Sequence, residues 1–298
     1  MKLGIIGGSG LYDLEHINNI KSVKVETPFG SPSDELVCGT IDGVELVFLP
    51  RHGKGHRILP GEINHRANIF ALKKLGVTHV LSISAVGSLK KKYRPMDIVV
   101  VDQYFDRTKR SADHTFFGNG IVAHISMAEP VCPELFKTAF KAAKISLDEI
   151  FPGKKGKPAV HKGGTYLNME GPAFSTKAES MVYRSWGMDV IGMTNLAEAK
   201  LAREAEMCYT TVAMVTDYDC WHPDHEHVTI DMIIKNFTTN VKVAKLMIAK
   251  MIPMMKSVKG KCKCGSALSA AIITSPDFVG NEFRKSMSPI IGKYLPAK

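Results

Sequence analysis

The sequence predicts a single-domain α/β fold built on a largely buried sheet. Apolar runs of strand length alternate with amphipathic stretches of helix length, and no repeat, long linker or low-complexity block divides the chain. A chain of 298 residues, 45% of them hydrophobic, can bury most of its apolar surface without disulfides. We therefore expect one domain over residues 1–298, with a less well-defined basic tail from about residue 254.

Seven apolar runs are predicted to be strands. They cover residues 3–6, 36–40, 44–49, 80–84, 98–101, 165–168 and 209–215. Asp42 and Gly43 separate the second run from the third, and this pair favours the tight turn of a hairpin. The sheet is therefore predicted to be mixed, with at least one antiparallel pair.

The clearest helix is predicted over residues 230–251. Its apolar side chains recur at steps of three and four residues, from Ile230 and Ile233 to Ile248 and Met251, so one face packs against the core. Another helix is predicted to begin at Asn195.

Composition excludes several classes of protein. The first residues, MKLGIIGGSGLYD, hold one lysine and a short apolar stretch interrupted by glycines, which is unsuited to a signal peptide. No apolar run is long enough to cross a bilayer. We therefore expect a cytoplasmic protein with no membrane partner.

The six cysteines are scattered along the chain, which is typical of a reducing compartment. Cys262 and Cys264 form a C-x-C motif that would suit a redox or metal pair. A second such pair, which a tetrahedral site needs, is missing from the sequence. We therefore expect no metal here.

The formal net charge of +10 is concentrated near the end of the chain, where residues 250–298 contain nine Lys/Arg and two Asp/Glu. A solvated surface and a nucleic-acid interface are the two interpretations. The basic stretches lack interleaved aromatic residues and any recognisable nucleic-acid-binding signature. The solvated surface is therefore favoured, and no nucleic-acid partner is expected.

Three predicted strands end in residues that suit an anion. Ser9 follows the first, Arg51 and His52 follow the third, and Ser84 and Ala85 end the fourth. Because ligands gather at the carboxyl ends of strands in open α/β sheets, these residues predict a site for an anion such as phosphate. A ligand-free tight turn at Ser9 and a surface salt bridge at Arg51 are the alternatives.

Two later segments suit an organic ligand. NMEGPAFST contains Phe174, which can stack on a flat ring, and Ser175. Met193 and Thr194 precede the helix at Asn195, where Thr194 can cap the helix or contact phosphate. Judged from this residue alone, capping is the favoured role.

Asp217 and Asp219 follow the last predicted strand, on the same side of an extended chain. Two like charges at the end of a buried strand raise the pKa of one member, and the resulting carboxylic acid can donate a proton. Solvated loop acids or helix caps are the alternative. Nearby, His222, His225 and His227 do not have the H-E-x-x-H spacing, so a metal site is not favoured.

Taken together and in this order, these segments resemble the 5'-methylthioadenosine phosphorylase family, part of the purine nucleoside phosphorylase group. The resemblance rests on GIIGGSGLYD, TPFGSPSD, RHGKGH, ISAVGSL, MEGPAFSTKAES, GMTNLAEAKLAREAE and TVAMVTDYDCWHPDH. It covers residue 2 to about 251 and leaves the stretch from Lys259 without a counterpart. It implies a partly barrel-like mixed sheet flanked by helices, and a homotrimer with active sites near the subunit interfaces.

The resemblance also implies the role of each site residue. Met193 lies along the ribose, Phe174 and Ser175 border the base, and Asp217 and Asp219 face N7 and the exocyclic amino group of the purine. Asp217 and His52 are the implied catalytic residues. Phosphate is held by Ser9, Arg51, His52, Ser84, Ala85 and Thr194.

For the 5' substituent, the resemblance implies an apolar pocket at Ile230 and Ile233, although core packing is the alternative for both. It implies that His124 comes from a neighbouring subunit. The implied reaction converts 5'-methylthioadenosine and inorganic phosphate into adenine and 5-methylthioribose 1-phosphate, in purine and methionine salvage. No metal or organic cofactor is implied, since phosphate is a co-substrate.

Two features bear on specificity. An aspartate at position 217, where the related 6-oxopurine phosphorylases generally carry asparagine, favours an aminopurine. Gly192 stands where some family members have asparagine, so adenosine, inosine or methylthioinosine stay open as further substrates.

Overall fold

The structure is a computed structural model that describes residues 1–8, 11, 17–222, 230–256 and 260–297. The side chains at 111 and 230–237 lie outside the description. Ser9, His225 and His227, and the side chains of Ile230 and Ile233, therefore fall outside the described residues.

The described chain forms one mixed sheet flanked by helices, which confirms the predicted fold class. All seven predicted strands are present, and the fourth is longer than predicted. The remaining strands are short or polar. In chain order the strands are β1 (Lys2–Gly7), β2 (Asn18–Val23), β3 (Leu36–Ile41), β4 (Val44–Pro50), β5 (His79–Ser88), β6 (Ile98–Val101), β7 (Gln103–Arg107), β8 (Val160–Lys162), β9 (Thr165–Met169), β10 (Val190–Gly192) and β11 (Cys208–Asp217).

The sheet branches at β5. One path runs β2-β3-β4-β1-β5-β10-β9-β7, and β11 leaves β5 to pair with β6, which pairs in turn with β8. The predicted hairpin is confirmed, because β3 and β4 are antiparallel. Asp42 and Gly43 both have positive φ, as a tight hairpin turn of this kind requires.

The two branches curve towards each other, which gives this part of the sheet its barrel-like character. A separate apolar cluster lies between them, with Val86 from β5, Val99 from β6, Tyr166 from β9 and Ala213 from β11. The Tyr104 hydroxyl of β7 donates to the hydroxyl of Thr211 on β11 at 2.8 Å.

Seven α-helices cover the described sheet. They are α1 (His65–Lys74), α2 (Pro133–Ile150), α3 (Lys177–Ser185), α4 (Asn195–Glu204), α5 (Ile230–Met255), α6 (Asn281–Ser286) and α7 (Ser288–Ile291). Helices α2 and α5 pack on one face, where Leu135, Met247 and Met251 are fully buried. None of the helices in the described ranges is long and apolar enough to cross a membrane.

The second face is covered by α1, α4 and the end of the chain. Leu268, Ile290 and Ile291 bury their side chains in the same cluster as Phe70 of α1. The stretch 260–297 is therefore packed on the core in the described structure.

Four neighbouring strands position the site. β4, β1, β5 and β11 run parallel in that order, so their carboxyl ends meet at one edge of the sheet. Any side chains at these ends share one crevice.

Candidate active site

One cavity of about 590 Å³ opens at the carboxyl ends of these strands. This volume is within the range of small-molecule sites. Most of the predicted site residues line it. They are Arg51, His52, Ser84, Ala85, Phe174, Met193, Thr194, Asp217 and Asp219.

Strand β5 gives the distance between the basic and acidic parts of the cavity. Arg51 donates to the carbonyl of Ile83 at 3.0 Å. Asp217 lies beside Gly87, where a Cβ would stand 3.0 Å from the carboxylate Oδ1. Ile83 and Gly87 are four residues apart on one strand, which corresponds to about 13 Å. An in-line phosphate, ribose and purine can bridge this distance.

Arg51 is buried and its guanidinium is almost fully bonded. Nε and Nη2 donate to the Glu198 carboxylate at 2.5 and 3.3 Å, and Nη2 also donates to the Ser82 hydroxyl at 2.7 Å. Of its five N–H groups, four thus have described partners and one on Nη1 is left for a ligand. The alternative of a surface salt bridge is excluded, because both side chains are buried.

The Arg51–Glu198 pair stays ionised. Burial acts to lower the pKa of Arg51, but the Glu198 carboxylate outweighs it and the pKa rises above its usual value. Burial likewise acts to raise the pKa of Glu198, and the guanidinium outweighs it and lowers that pKa. The pair is close to neutral overall, so this part of the cavity is less cationic than the sequence suggested.

His52 is a neutral side chain in this site. Burial, followed by the nearby Arg51 charge, lowers its pKa to about 4. Its Nδ1 lies 2.8 Å from the carbonyl of Ile58, and since a carbonyl can only accept, Nδ1 carries the proton. The other ring nitrogen, Nε2, is then an acceptor, suited to a hydroxyl of phosphate or ribose.

Thr194 is at the N-cap position of α4, but the prediction that its side chain caps the helix is wrong. Its hydroxyl makes no capping hydrogen bond, and its φ of −136° and ψ of −25° are not the extended geometry of a capping residue. Asn168 of β9 instead accepts from the Leu196 N–H of the first turn at 3.1 Å. Thr194 is left as a buried residue that lines the cavity.

The geometry predicted for Asp217 and Asp219 is also wrong. The strand ends at Asp217, and Asp219 has a left-handed φ of 52°, so the chain between them turns. The Asp219 N–H donates to Asp217 Oδ1 at 2.7 Å, and the Thr216 hydroxyl donates to Oδ2 at 2.6 Å. The turn brings both carboxyl groups to the cavity wall and fixes the orientation of the first.

Burial is the main cause of the raised pKa values at this position. It raises the pKa of Asp217, which hydrogen bonds from Thr216 and the Asp219 N–H only partly offset. It raises the pKa of Asp219 to about 6, where the charge of Asp217 contributes less than burial. Both acids therefore have raised pKa values. From the sequence, like-charge repulsion was the only cause considered, and it predicted a raised pKa for one of them.

The part of the cavity predicted to hold an organic ligand contains an aromatic ring and a glycine packed closely against a tyrosine. Phe174 is 55% exposed, which leaves its ring available at the cavity wall. A Cβ on Gly192 would stand 1.9 Å from the Tyr166 hydroxyl, so no side chain fits at position 192. Tyr166 therefore requires a glycine at position 192, where some family members have asparagine.

Two described residues of the predicted site do not line the cavity. The buried Ser175 hydroxyl donates to the Met169 sulfur at 3.8 Å. His124 is exposed, and its backbone N–H donates to Ala271 at 2.8 Å. Ser175 therefore does not line the described cavity, while the contact of His124 with the site of a neighbouring subunit stays a prediction.

Asn240 of α5 is a cavity residue that the sequence reasoning missed. It is buried, and neither its amide oxygen nor its amide nitrogen has a partner among the described residues. A buried amide left unbonded costs about 1–3 kcal/mol, so a ligand group is a suitable partner. The signal in the sequence was the position of Asn240, a polar residue next to Val241 and other apolar positions of this helix.

The chain is similar to known proteins over most of its length. The Phosphorylase superfamily profile matches residues 2–253. The chain belongs to the phosphorylase superfamily. Within it, the chain is 53% identical to S-methyl-5'-thioadenosine phosphorylase from Koribacter versatilis over 294 residues, which are 99% of this chain and 97% of the relative. This identity places the chain in the methylthioadenosine phosphorylase family.

Two solved structures of this superfamily have the same fold. Methylthioadenosine phosphorylase from an antarctic soil metagenomic library is 44% identical with a TM-score of 0.90, covering 97% of this chain and 98% of its own. A mutant of adenosine/methylthioadenosine phosphorylase from Schistosoma mansoni, in complex with methylthioadenosine, is 38% identical with a TM-score of 0.81. That match covers 91% of this chain and 96% of the relative.

The expectation that the chain from Lys259 onward has no counterpart is wrong. The Koribacter relative aligns with 99% of this chain, so the alignment extends well into the basic tail. The tail is part of what these phosphorylases share.

Proposed function

We propose that this chain cleaves 5'-methylthioadenosine with inorganic phosphate, forming adenine and 5-methylthioribose 1-phosphate. The observation that carries the proposal is a single cavity with anion-binding groups at one end and two buried acids about 13 Å away along β5. The named relatives and the methylthioadenosine complex of one of them support the same substrate.

The phosphate binds at the end of the cavity that contains Arg51. Its ligands are the remaining N–H of Arg51, the hydroxyls of Ser84 and Thr194, and the amide groups at the start of α4. Because Glu198 neutralises Arg51, positioning of phosphate by fixed donors contributes more than net charge. The neutral His52 accepts a hydrogen bond through Nε2, which orients a phosphate or ribose hydroxyl.

The purine binds at the end that contains Asp217. As the glycosidic bond breaks, positive charge develops on the ribosyl carbon and negative charge on the base, so a proton delivered to N7 lowers the barrier. The raised pKa of Asp217 favours its protonated form, which can donate this proton to N7. Asp219, with a pKa of about 6, is largely ionised at neutral pH and accepts from the 6-amino group.

The 5' substituent needs an apolar part of the cavity. Leu11, Val241 and Ala244 line the cavity, and Val241 and Ala244 lie on the same helix as the predicted Ile230 and Ile233. These groups suit a methylthio group. We expect no metal or organic cofactor in this reaction, because the phosphate supplies the nucleophile and Asp217 supplies the proton.

The proposal includes a cytoplasmic homotrimer in which His124 completes the site of a neighbouring subunit. Its exposure on its own chain is compatible with this role. Adenosine is a second candidate substrate, since the Schistosoma relative is named for both nucleosides. Inosine is disfavoured, because Asp219 would face a 6-oxo group without a donor to accept from.

The test is release of the free base from methylthioadenosine, adenosine and inosine, each with and without phosphate. We expect phosphate-dependent release of adenine, fastest from methylthioadenosine. Arg51→Ala should raise the KM for phosphate by at least about tenfold, since it removes a charge-assisted donor. Release that does not depend on phosphate, or an unchanged phosphate KM in the variant, would refute the proposal.

A further inference from the structure

Four cysteine sulfurs converge at a place remote from the cavity. The Sγ atoms of Cys132, Cys208, Cys262 and Cys264 all lie within 4.8 Å of one another. Cys208 is the first residue of β11 and Asp217 is the last, so the cluster lies about 30 Å from the buried acids. The fold thus supplies the second pair that the C-x-C motif lacked in the sequence.

The spacing of the sulfurs suits a shared metal ion. In a tetrahedral zinc site with Zn–S bonds of about 2.3 Å, the sulfurs are separated by about 3.8 Å. The Sγ atoms of Cys208 and Cys262 are 3.4 Å apart, and the largest separation in the cluster is within 4.8 Å. A disulfide needs about 2.05 Å, and all four cysteines are free thiols in the structure.

The position of Cys132 in the fold suits a thiolate ligand. Cys132 is the N-cap residue of α2, an 18-residue helix. The free N–H groups and the dipole of a helix N-terminus favour negative charge, so a thiolate at this position is stabilised. A thiolate that is stabilised in this way is a soft ligand suited to zinc.

The C-x-C segment is held against α2 by a further contact. The Lys261 N–H donates to the two carboxylate oxygens of Glu134 at 3.1 and 3.3 Å. Lys261 precedes the motif and Lys263 is its middle residue; both are exposed, and their charges compensate the net negative charge of four thiolates around one Zn²⁺. Cys132, Cys208 and Cys264 are buried, as the ligands of a closed site are.

We propose that Cys132, Cys208, Cys262 and Cys264 bind one structural Zn²⁺ that fixes the tail on the domain core. The thiol protons leave to solvent as the four Zn–S bonds form. Because all four positions are occupied by protein ligands, no position is open for a substrate or water, so the ion is structural.

The consequence of zinc binding extends along the tail to the segment that contains His124. Beyond the C-x-C motif, Ala271 accepts from the His124 N–H and the Thr274 hydroxyl accepts from the Val122 N–H, both at 2.8 Å. Ala123 and Ile272 also form an isolated β-bridge. A zinc ion that anchors the start of the tail thereby stabilises residues 122–124.

The experiment measures metal content of the full chain, purified without chelators from cells supplied with zinc. We expect about one zinc per chain in the parent protein, as a four-thiolate site predicts. Cys264→Ser should lose most of it, and so should Cys262→Ser, whose half-exposed position makes misfolding less of a concern. Cys38→Ser, outside the cluster, is the matched control and should retain zinc.

Two further measurements sharpen the result. Replacement of zinc by cobalt should produce the visible absorption of a tetrahedral cobalt thiolate, lost in Cys264→Ser but kept in Cys38→Ser. Removal of zinc should speed hydrogen exchange at residues 122–124. Iron in place of zinc, disulfides within the cluster in the non-reduced protein, or zinc retained by both C-x-C variants would each overturn the proposal.

Discussion

The two ends of the cavity bury charge in different ways. At one end, Arg51 and Glu198 neutralise each other, and both keep their charged forms. At the other, Asp217 and Asp219 form no ion pair with any lysine or arginine in the described ranges, and burial raises both pKa values. A paired charge gives a fixed geometry, whereas an unpaired acid gives a proton that can be moved.

Loss of the movable proton should have the largest effect. Asp217→Asn keeps the size of the side chain and one oxygen that can accept from the Asp219 N–H, but it cannot transfer a proton to N7. We expect kcat/KM for methylthioadenosine to fall by about 10²–10⁴, measured as adenine release. The KM for phosphate and the thermal midpoint should stay close to the parent values. A variant that turns over at the parent rate would remove Asp217 from the acid role.

Breaking the paired charge should instead affect stability. Glu198→Gln leaves Arg51 buried without its counter-charge, and we expect the free energy of unfolding in urea to fall by about 3–5 kcal/mol. The matched control is Glu45→Gln, which breaks the partly exposed Lys2–Glu45 pair at 2.9 Å and should cost at most about 1 kcal/mol.

Replacing both members distinguishes fold from function at this end. Arg51→Met combined with Glu198→Leu should recover most of the lost stability, because apolar side chains can replace a buried ion pair. The double variant should still fail to saturate with phosphate. Equal losses of unfolding free energy in Glu198→Gln and in the Glu45→Gln control would show that burial of the Arg51–Glu198 pair does not contribute to stability.

A smaller effect of opposite sign is expected for Asp219→Asn. The pKa of Asp219 is raised from 3.8 to about 6, so the native carboxyl binds its proton more tightly than the unfolded chain does. The free energy of unfolding contributed by this group therefore falls as pH rises through this window, and stays lower above it. Removing the charge should stabilise the ligand-free protein at pH 8 by about 1–2 kcal/mol.

The readout is the difference in thermal or urea stability between the parent protein and Asp219→Asn, measured at several pH values. It should shrink as the pH falls below about 6. An asparagine variant that is less stable than the parent at pH 8 would show that Asp219 gains more from its contacts than burial costs it.

Much of the sheet followed from the sequence, because buried strands are apolar runs bounded by turns. β2 was missed since it is polar and largely exposed at the edge of the sheet. β8 and β10 have three residues each, too few to show a periodicity. These strands are specified by their neighbours in the sheet and not by their own composition.

The site was predictable where its residues follow strands, as Arg51, His52 and Asp217 do. Glu198 was missed because a single acid in a helix resembles a solvated side chain, although it shares a helix face with the buried Asn195 and Leu201. The partners of the C-x-C motif were out of reach, since Cys132 and Cys208 are distant in sequence and only the fold brings them to it.

One buried strand, β5, connects both ends of the cavity, and this has a consequence for the size of the ligand. The strand is hydrogen-bonded to β1, β10 and β11, so it cannot shorten to accommodate a smaller molecule. If phosphate binds at Arg51 as proposed, we expect a pyrimidine nucleoside placed against it to end one ring short of Asp217. We therefore expect the fixed length of β5 to disfavour single-ring nucleosides, independently of the individual contacts to the base.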